Sequence, residues 1–273
     1  MEQSTDTPNY LALVQKPEPF TVQGFEALSI GENFKLFFKE FTTSIDSRMA
    51  VLSRSIHKVD ASAAKHNLVG NKVLYVKNTG VEILTPEGFA AGMGNMMAHT
   101  KAVTDGIYIV CSLKTEASRL YDWLKQVIRN GRIDRSFNWS IRDFDTALSK
   151  TENFVRQLPS GSRKLKFSIG QVYFNWDEFF ACVDTFNNTV QTLGARDVEL
   201  LAKELTNVYE LGQLLVHKIQ SNELVIGEQG IDDIETIVNK FVGLVNLSGA
   251  VLVLLNDLTA VFNEQVKTLA DLK

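Results

Sequence analysis

The chain has 273 residues, 45% hydrophobic and 22% charged, with 17 Phe, 6 Tyr, 3 Trp and a formal net charge of −4. This composition can fill a sizeable core and excludes disordered, collagen-like and low-complexity classes. Two cysteines, Cys111 and Cys182, exclude a disulfide framework and a four-cysteine zinc site, and four scattered histidines (His57, His66, His99, His217) have no metal-ligand spacing.

Residues 1–28 are polar, carry Pro8, Pro17 and Pro19, and lack an apolar period. They read as an extended arm outside a single elongated helical domain over 29–273. No charged stretch followed by an apolar run opens the chain, so the expected setting is cytoplasmic, or a viral particle assembled there. The glycosylation-type triplets at Asn138, Asn187 and Asn246 are then chance matches.

Ser29-Ile30-Gly31-Glu32 has the form of a capping box. Phe34, Phe38, Phe41, Ile45, Met49, Leu52, Ile56 and Val59 follow at steps of four and three, one face of a helix. This helix is predicted to fade near Asn67, stop by Gly70 and reach about 50 Å. Two β-prone runs, Val73–Val76 and Val81–Leu84, flank an Asn/Gly turn and predict a hairpin over 72–84. Thr85 and Pro86 read as the N-cap and first residue of a helix running to Thr100, weakened by Gly88, Gly92 and Gly94.

After the Asp105-Gly106 turn, one helix is predicted from Ile107 to Asn130-Gly131. Ser140–Asp143 resembles a capping start for a helix carrying Phe144, Leu148 and Val155, stopped by Pro159-Ser160-Gly161. Leu165, Phe167 and Ile169, then Gly170-Gln171, then Val172–Phe174 predict a second hairpin over 164–174. Asn175 is a cap with Asp177 and Glu178 in the first turn of a helix reaching Gly194. A further helix spans about Asp197 to Ser221, with Leu201, Leu205, Val208, Leu215 and Ile219 inward.

The last helix has the strongest pattern. Ile234, Val238, Phe241, Val245, Ser248, Leu252, Leu255, Thr259, Phe262, Val266 and Leu269 alternate four and three. Ile237, Leu244, Val251 and Leu258 make a second stripe, and Leu247, Leu254 and Val261 a third. One stripe would suit a two-stranded coiled coil. Three make most of the circumference apolar, so several helices must surround it. The predicted fold is mainly α, an elongated bundle with long N- and C-terminal helices and one or two short β-hairpins. Phe241–Leu255 is nearly all apolar, but Lys240 and Asp257 bound it below the roughly 20 residues a bilayer needs, so no membrane span is expected.

Sites of chemistry are harder to find. Gly88–Gly94 lacks the Lys-Ser/Thr of a phosphate loop and the third glycine of a dinucleotide fingerprint. No HExxH, GxSxG or CxxC occurs. Asp177-Glu178 and Asp232-Asp233 are accounted for by helix starts. No cofactor, metal or small-molecule substrate is indicated.

Charge is the remaining signal. Residues 119–166 hold 11 Lys/Arg and five Asp/Glu, a net +6, which leaves −10 on the rest of the chain. Arg129, Arg132, Arg135 and Arg142 bracket a predicted turn, with Trp139 among them. Arginine's planar fork pairs with carboxylate or phosphate at any physiological pH. These five residues are the candidate partner-binding set. The expected function is that of a non-catalytic structural or assembly protein packing against itself or other subunits, a profile that suits a virus or phage particle component. The alternative is a nucleic-acid-binding accessory protein acting through 119–166. A helical enzyme with an unrecognised site is third.

Overall fold

A computed structural model describes residue 39 and residues 56–70, 80–86, 89, 95–133, 136–157, 164–193 and 195–272. The arm over 1–28, the Ser29 box, the strand-prone run 73–76, Gly88, Gly92, Gly94 and Arg135 lie outside these residues. Among the described residues the fold is mainly α, with one small two-stranded antiparallel sheet. In chain order the elements are α1 (Ser62–Gly70), β1 (Glu82–Leu84), α2 (Asn95–Asp105), α3 (Ile107–Asn130), α4 (Phe144–Gln157) and β2 (Lys166–Ser168). There follow the single turn α5 (Ile169–Val172), α6 (Trp176–Thr192), α7 (Ala195–Gln220) and α8 (Glu228–Ala270).

The organising element is α8. Its 43 residues extend about 65 Å. Every described residue of its second and third stripes is buried except Ile237, which is half-buried; the first stripe is buried except at Thr259. The reason for three stripes is visible in the packing, because α1, α2, α3, α4 and β1 all rest on α8. Around this axis α3 lies along α7, and α2 along α6. Gly106 lets the α2–α3 junction press on the axis: a Cβ there would stand 2.9 Å from Val251 Cγ2 and 3.2 Å from the Val103 carbonyl.

Several boundaries follow the sequence reading closely. The helix α3 ends at Asn130, and Gly131 at φ 68° supplies the left-handed cap that its neighbours could adopt only with strain. Asn175 Oδ1 accepts from the Glu178 amide at 2.8 Å, so the expected cap opens α6, and the Glu178 carboxylate accepts from the Phe174 amide just before it.

Others depart from it. The first predicted helix does not run unbroken to Asn67. Residues 56–61 are non-helical, because Asn187 clamps the Val59 backbone from both sides, its Oδ1 accepting from Val59 N at 2.8 Å and its Nδ2 donating to Val59 O at 2.9 Å. Asp60 then accepts from the Ser62 amide and hydroxyl and starts α1 afresh. Thr85 is not a helix cap. Its amide and hydroxyl both donate to the Leu165 carbonyl, at 2.9 and 3.0 Å, and extend the sheet.

Among the described residues, each of the two β-prone regions contributes one strand. Strand β1 pairs with β2, with Ile83 opposite Phe167. Residues 169–172 form the turn α5 instead of a return strand, with Ser168 and Gln171 closing a capping box. Gln265 fixes this corner to α8, donating to the Leu84 carbonyl at 2.6 Å and accepting from the buried Tyr173 hydroxyl at 2.8 Å.

Candidate partner-binding surface

The basic segment begins on α3, and its described residues 136–143 lead into α4. The base of this turn is apolar. Phe137 meets Trp123 edge-on at 5.9 Å and Trp139 at 4.5 Å, and Trp139 stacks on Phe144 at 3.9 Å with 22° between the ring planes. Aromatic contacts of this kind add to the area they bury and restrict a loop to one conformation. Trp139 is therefore half-buried within the ring cluster, with one face already covered.

A buried carboxylate completes the anchorage. Glu116 lies on the inner face of α3 between Leu113 and Leu120, fully buried like them. Its Oε1 accepts from the Ser140 amide at 2.8 Å, the Ile141 amide at 3.0 Å and the Ser140 hydroxyl. These three donors offset part of the cost of burying the group, while its Oε2 is buried without a hydrogen-bond partner. Ser140 thus serves Glu116 rather than opening α4 as a cap, and α4 starts at Phe144. On the rim, Arg119 Nη1 donates to the Asn138 carbonyl at 2.9 Å. Sequence reasoning passed over Glu116. The available signal was an acidic residue standing three after Leu113 and four before Leu120 on an otherwise apolar stripe.

Above this base the arginines face solvent. Arg129 and Arg132 are exposed. The Arg142 side chain is 94% exposed, and its pairing with the exposed Asp143 is loose, at 3.8 Å. An exposed pair at that separation contributes little. Arg129 thus lies in the last turn of α3, Arg132 just beyond its end and Arg142 just before α4, while Trp139 is held in the ring cluster.

Part of the segregated charge is used within the chain. Lys164 pairs with Asp257 of α8, Lys240 of α8 pairs with Asp145 at 2.9 Å, and Arg156 pairs with Glu152 at 2.8 Å. Lys125 lies 5.8 Å from the Tyr121 ring centre. These pairs leave the segment's net charge unchanged, because Asp257 offsets one of its positive charges and Lys240 one of its negative charges.

Two groups away from this surface, Cys182 and His99, have their ionisation shifted by burial. Burial, helped by the nearby Glu178 charge, pushes the Cys182 thiol up to about 12, so it is protonated and a poor nucleophile at neutral pH. Burial also lowers the pKa of His99, against a weaker pull from the Asp257 carboxylate, and its ring packs edge-on to Phe154 at 5.9 Å. Among the described residues no group of three His, Cys, Asp or Glu could hold a metal ion. A cleft of about 190 Å³ lies between α4 and α8, floored by Phe144, Leu148 and Leu247 and rimmed by the Asp145–Lys240 pair. Ligand pockets usually begin near roughly 300 Å³. Residues 229–270 are long and apolar enough to cross a membrane, with mean hydropathy 1.8 over an 18-residue window, but 72% of that window is buried inside the fold.

No family model, curated protein or solved structure matches this chain. Its surface chemistry alone bears on function.

Proposed function

We propose that this chain is a non-catalytic assembly subunit that packs against copies of itself or other protein subunits, with Arg129, Arg132 and Arg142 at the contact. The observation that carries this reading is the contrast between the two sides of the 131–143 turn. Below, Glu116 and a cluster of four aromatic rings hold the backbone; above, the Arg142 side chain is 94% exposed. A fixed base lowers the ordering cost that a partner would otherwise have to offset on binding. A helical core around α8, without a group poised for acid–base or nucleophilic work among the described residues, supports a structural role, and a virus or phage particle is a setting that suits it. The burial of the α8 apolar window supports a bundle core over a membrane span.

Nucleic-acid binding is the second reading, supported by the exposed arginines near Lys125 and Lys150. The covered face of Trp139 counts against it, because base stacking needs an open ring. The test is Arg129→Ala with Arg142→Ala, studied by sedimentation and by binding to a mixed-sequence oligonucleotide. Under the assembly reading, self-association at low salt weakens while the helical signal in circular dichroism is unchanged. Loss of oligonucleotide affinity, with the salt slope reduced by about one per phosphate contact, would favour the second reading instead. No change in either would remove both.

A further inference from the structure

The end of the bundle next to Arg129 carries both signs of charge. Gly131, closing α3, lies against the α7–α8 turn: a Cβ there would meet Leu224 Cδ1 at 3.6 Å, and one on Gly230 would stand 3.9 Å from Ile133 Cδ1. The C-terminal end of α3 and the N-terminal end of α8 are therefore neighbours. Arg129 and Arg132 are exposed on the α3 side. Asp232 is exposed on the α8 side, with Asp233 and Glu235 half-buried beside it. Among the described residues no ion pair joins Arg129 to Asp232 or to Glu235; Asp233 takes only a long hydrogen bond from Gln229 at 3.3 Å. The turn between the two sides holds Val225 at 80% exposure, the most open large apolar side chain in the described fold, flanked by the buried Leu224.

We infer that this end is a self-complementary contact by which two copies of the chain pair about a two-fold axis near Val225, Arg129 of each copy meeting Asp232 of the other. The inference rests on the assembly reading above and names its partner and its surface. A two-fold contact needs one patch that carries both halves of each interaction, and this patch does. Val225 supplies an apolar centre, with charged pairs at the rim on either side, the usual arrangement of an interface. A phosphate backbone would meet Asp232, Asp233 and Glu235 as well as Arg129, and a purely acidic partner would meet the same repulsion. A second copy is the occupant that both sides accept.

The experiment is sedimentation equilibrium of the full chain and three variants at low salt: Arg129→Glu, Asp232→Arg, and the two together. Symmetry makes each single reversal break two pairs, so dimer affinity should fall roughly tenfold or more for each. The doubly reversed chain should recover wild-type affinity, and an equimolar mixture of the two single variants should form heterodimers tighter than either homodimer. Val225→Lys, in an exposed turn where folding is unaffected, should also weaken the dimer. Circular dichroism checks that each variant is folded. Self-association that is indifferent to all of these changes would overturn this contact and leave the assembly reading standing. Weakening that neither the double variant nor the mixture repairs would also overturn it. A wild-type chain that stays monomeric at every concentration and salt would overturn this contact and restrict the assembly reading to other protein subunits.

Discussion

At the scale of single residues, two buried polar groups connect structure to measurable behaviour. Glu116 ties the α3 backbone to residues 140 and 141, and its removal leaves two amides and a hydroxyl without their acceptor. Buried donors left unpaired cost about 1–3 kcal/mol. Glu116→Ala should therefore lower the stability to denaturant by about 3 kcal/mol and increase proteolysis within 131–143. A loss below about 0.5 kcal/mol would show that the loop is held by its rings alone. His99 predicts a pH effect. Burial lowers its pKa in the fold, so below the unfolded value of about 6.5 the unfolded chain binds the extra proton first. Its contribution is thus fully present above that pH and is lost as pH falls from there through the lowered folded value. Thermal scans of wild type and His99→Gln should diverge in slope across that acid window and run parallel at higher pH; parallel slopes throughout would contradict the assignment.

At the scale of elements, α8 shows how a period becomes a packing arrangement. Leu252 is 2% exposed and Leu255 fully buried, on the first stripe and adjoining the second. Replacement of either by Ala should cost about 2–5 kcal/mol, the range for deleting a buried leucine side chain. Equilibrium unfolding in guanidinium would measure this, and a loss below about 0.5 kcal/mol would mean that the site can collapse around the gap. The sheet teaches the opposite lesson. Val81–Leu84 and Leu165–Ile169 were each legible as strand-prone, but a strand's alternation does not name its partner. The pairing of Ile83 with Phe167 is decided by the corner where Thr85, Gln265 and Tyr173 close their hydrogen bonds. The break before α1 has the same origin, since the Asn187 clamp on Val59 comes from 128 residues further along the chain.

For the whole molecule, a central helix on which α1, α2, α3, α4 and β1 all rest should be the last element to open. Amide exchange reports this, because the slowest amides exchange only on global unfolding. The amides of Phe241–Leu255 should be the most protected, ahead of α4, whose outer face is open to solvent. Faster exchange in this part of α8 than in α4 would place the stable centre elsewhere.

Taken alone, the sequence determined what depends on near neighbours: the ends of α3 at Gly106 and Gly131, the Asn175 cap, and the three stripes that make α8 a central helix. Steric limits at a left-handed cap and the angular step of a helix act over a few residues, so composition and spacing are enough. The candidate arginines were legible too, as a cluster of charge. Tertiary structure decided what depends on residues far apart: the pairing of β1 with β2, the restart at Asp60, the withdrawal of Lys164 into a pair with Asp257, and the covering of Trp139 by Phe144. It also set the C-terminal end of α3 beside the N-terminal end of α8. Ion pairs, ring stacks and buried hydrogen bonds depend on distance in space, which only the folded chain determines.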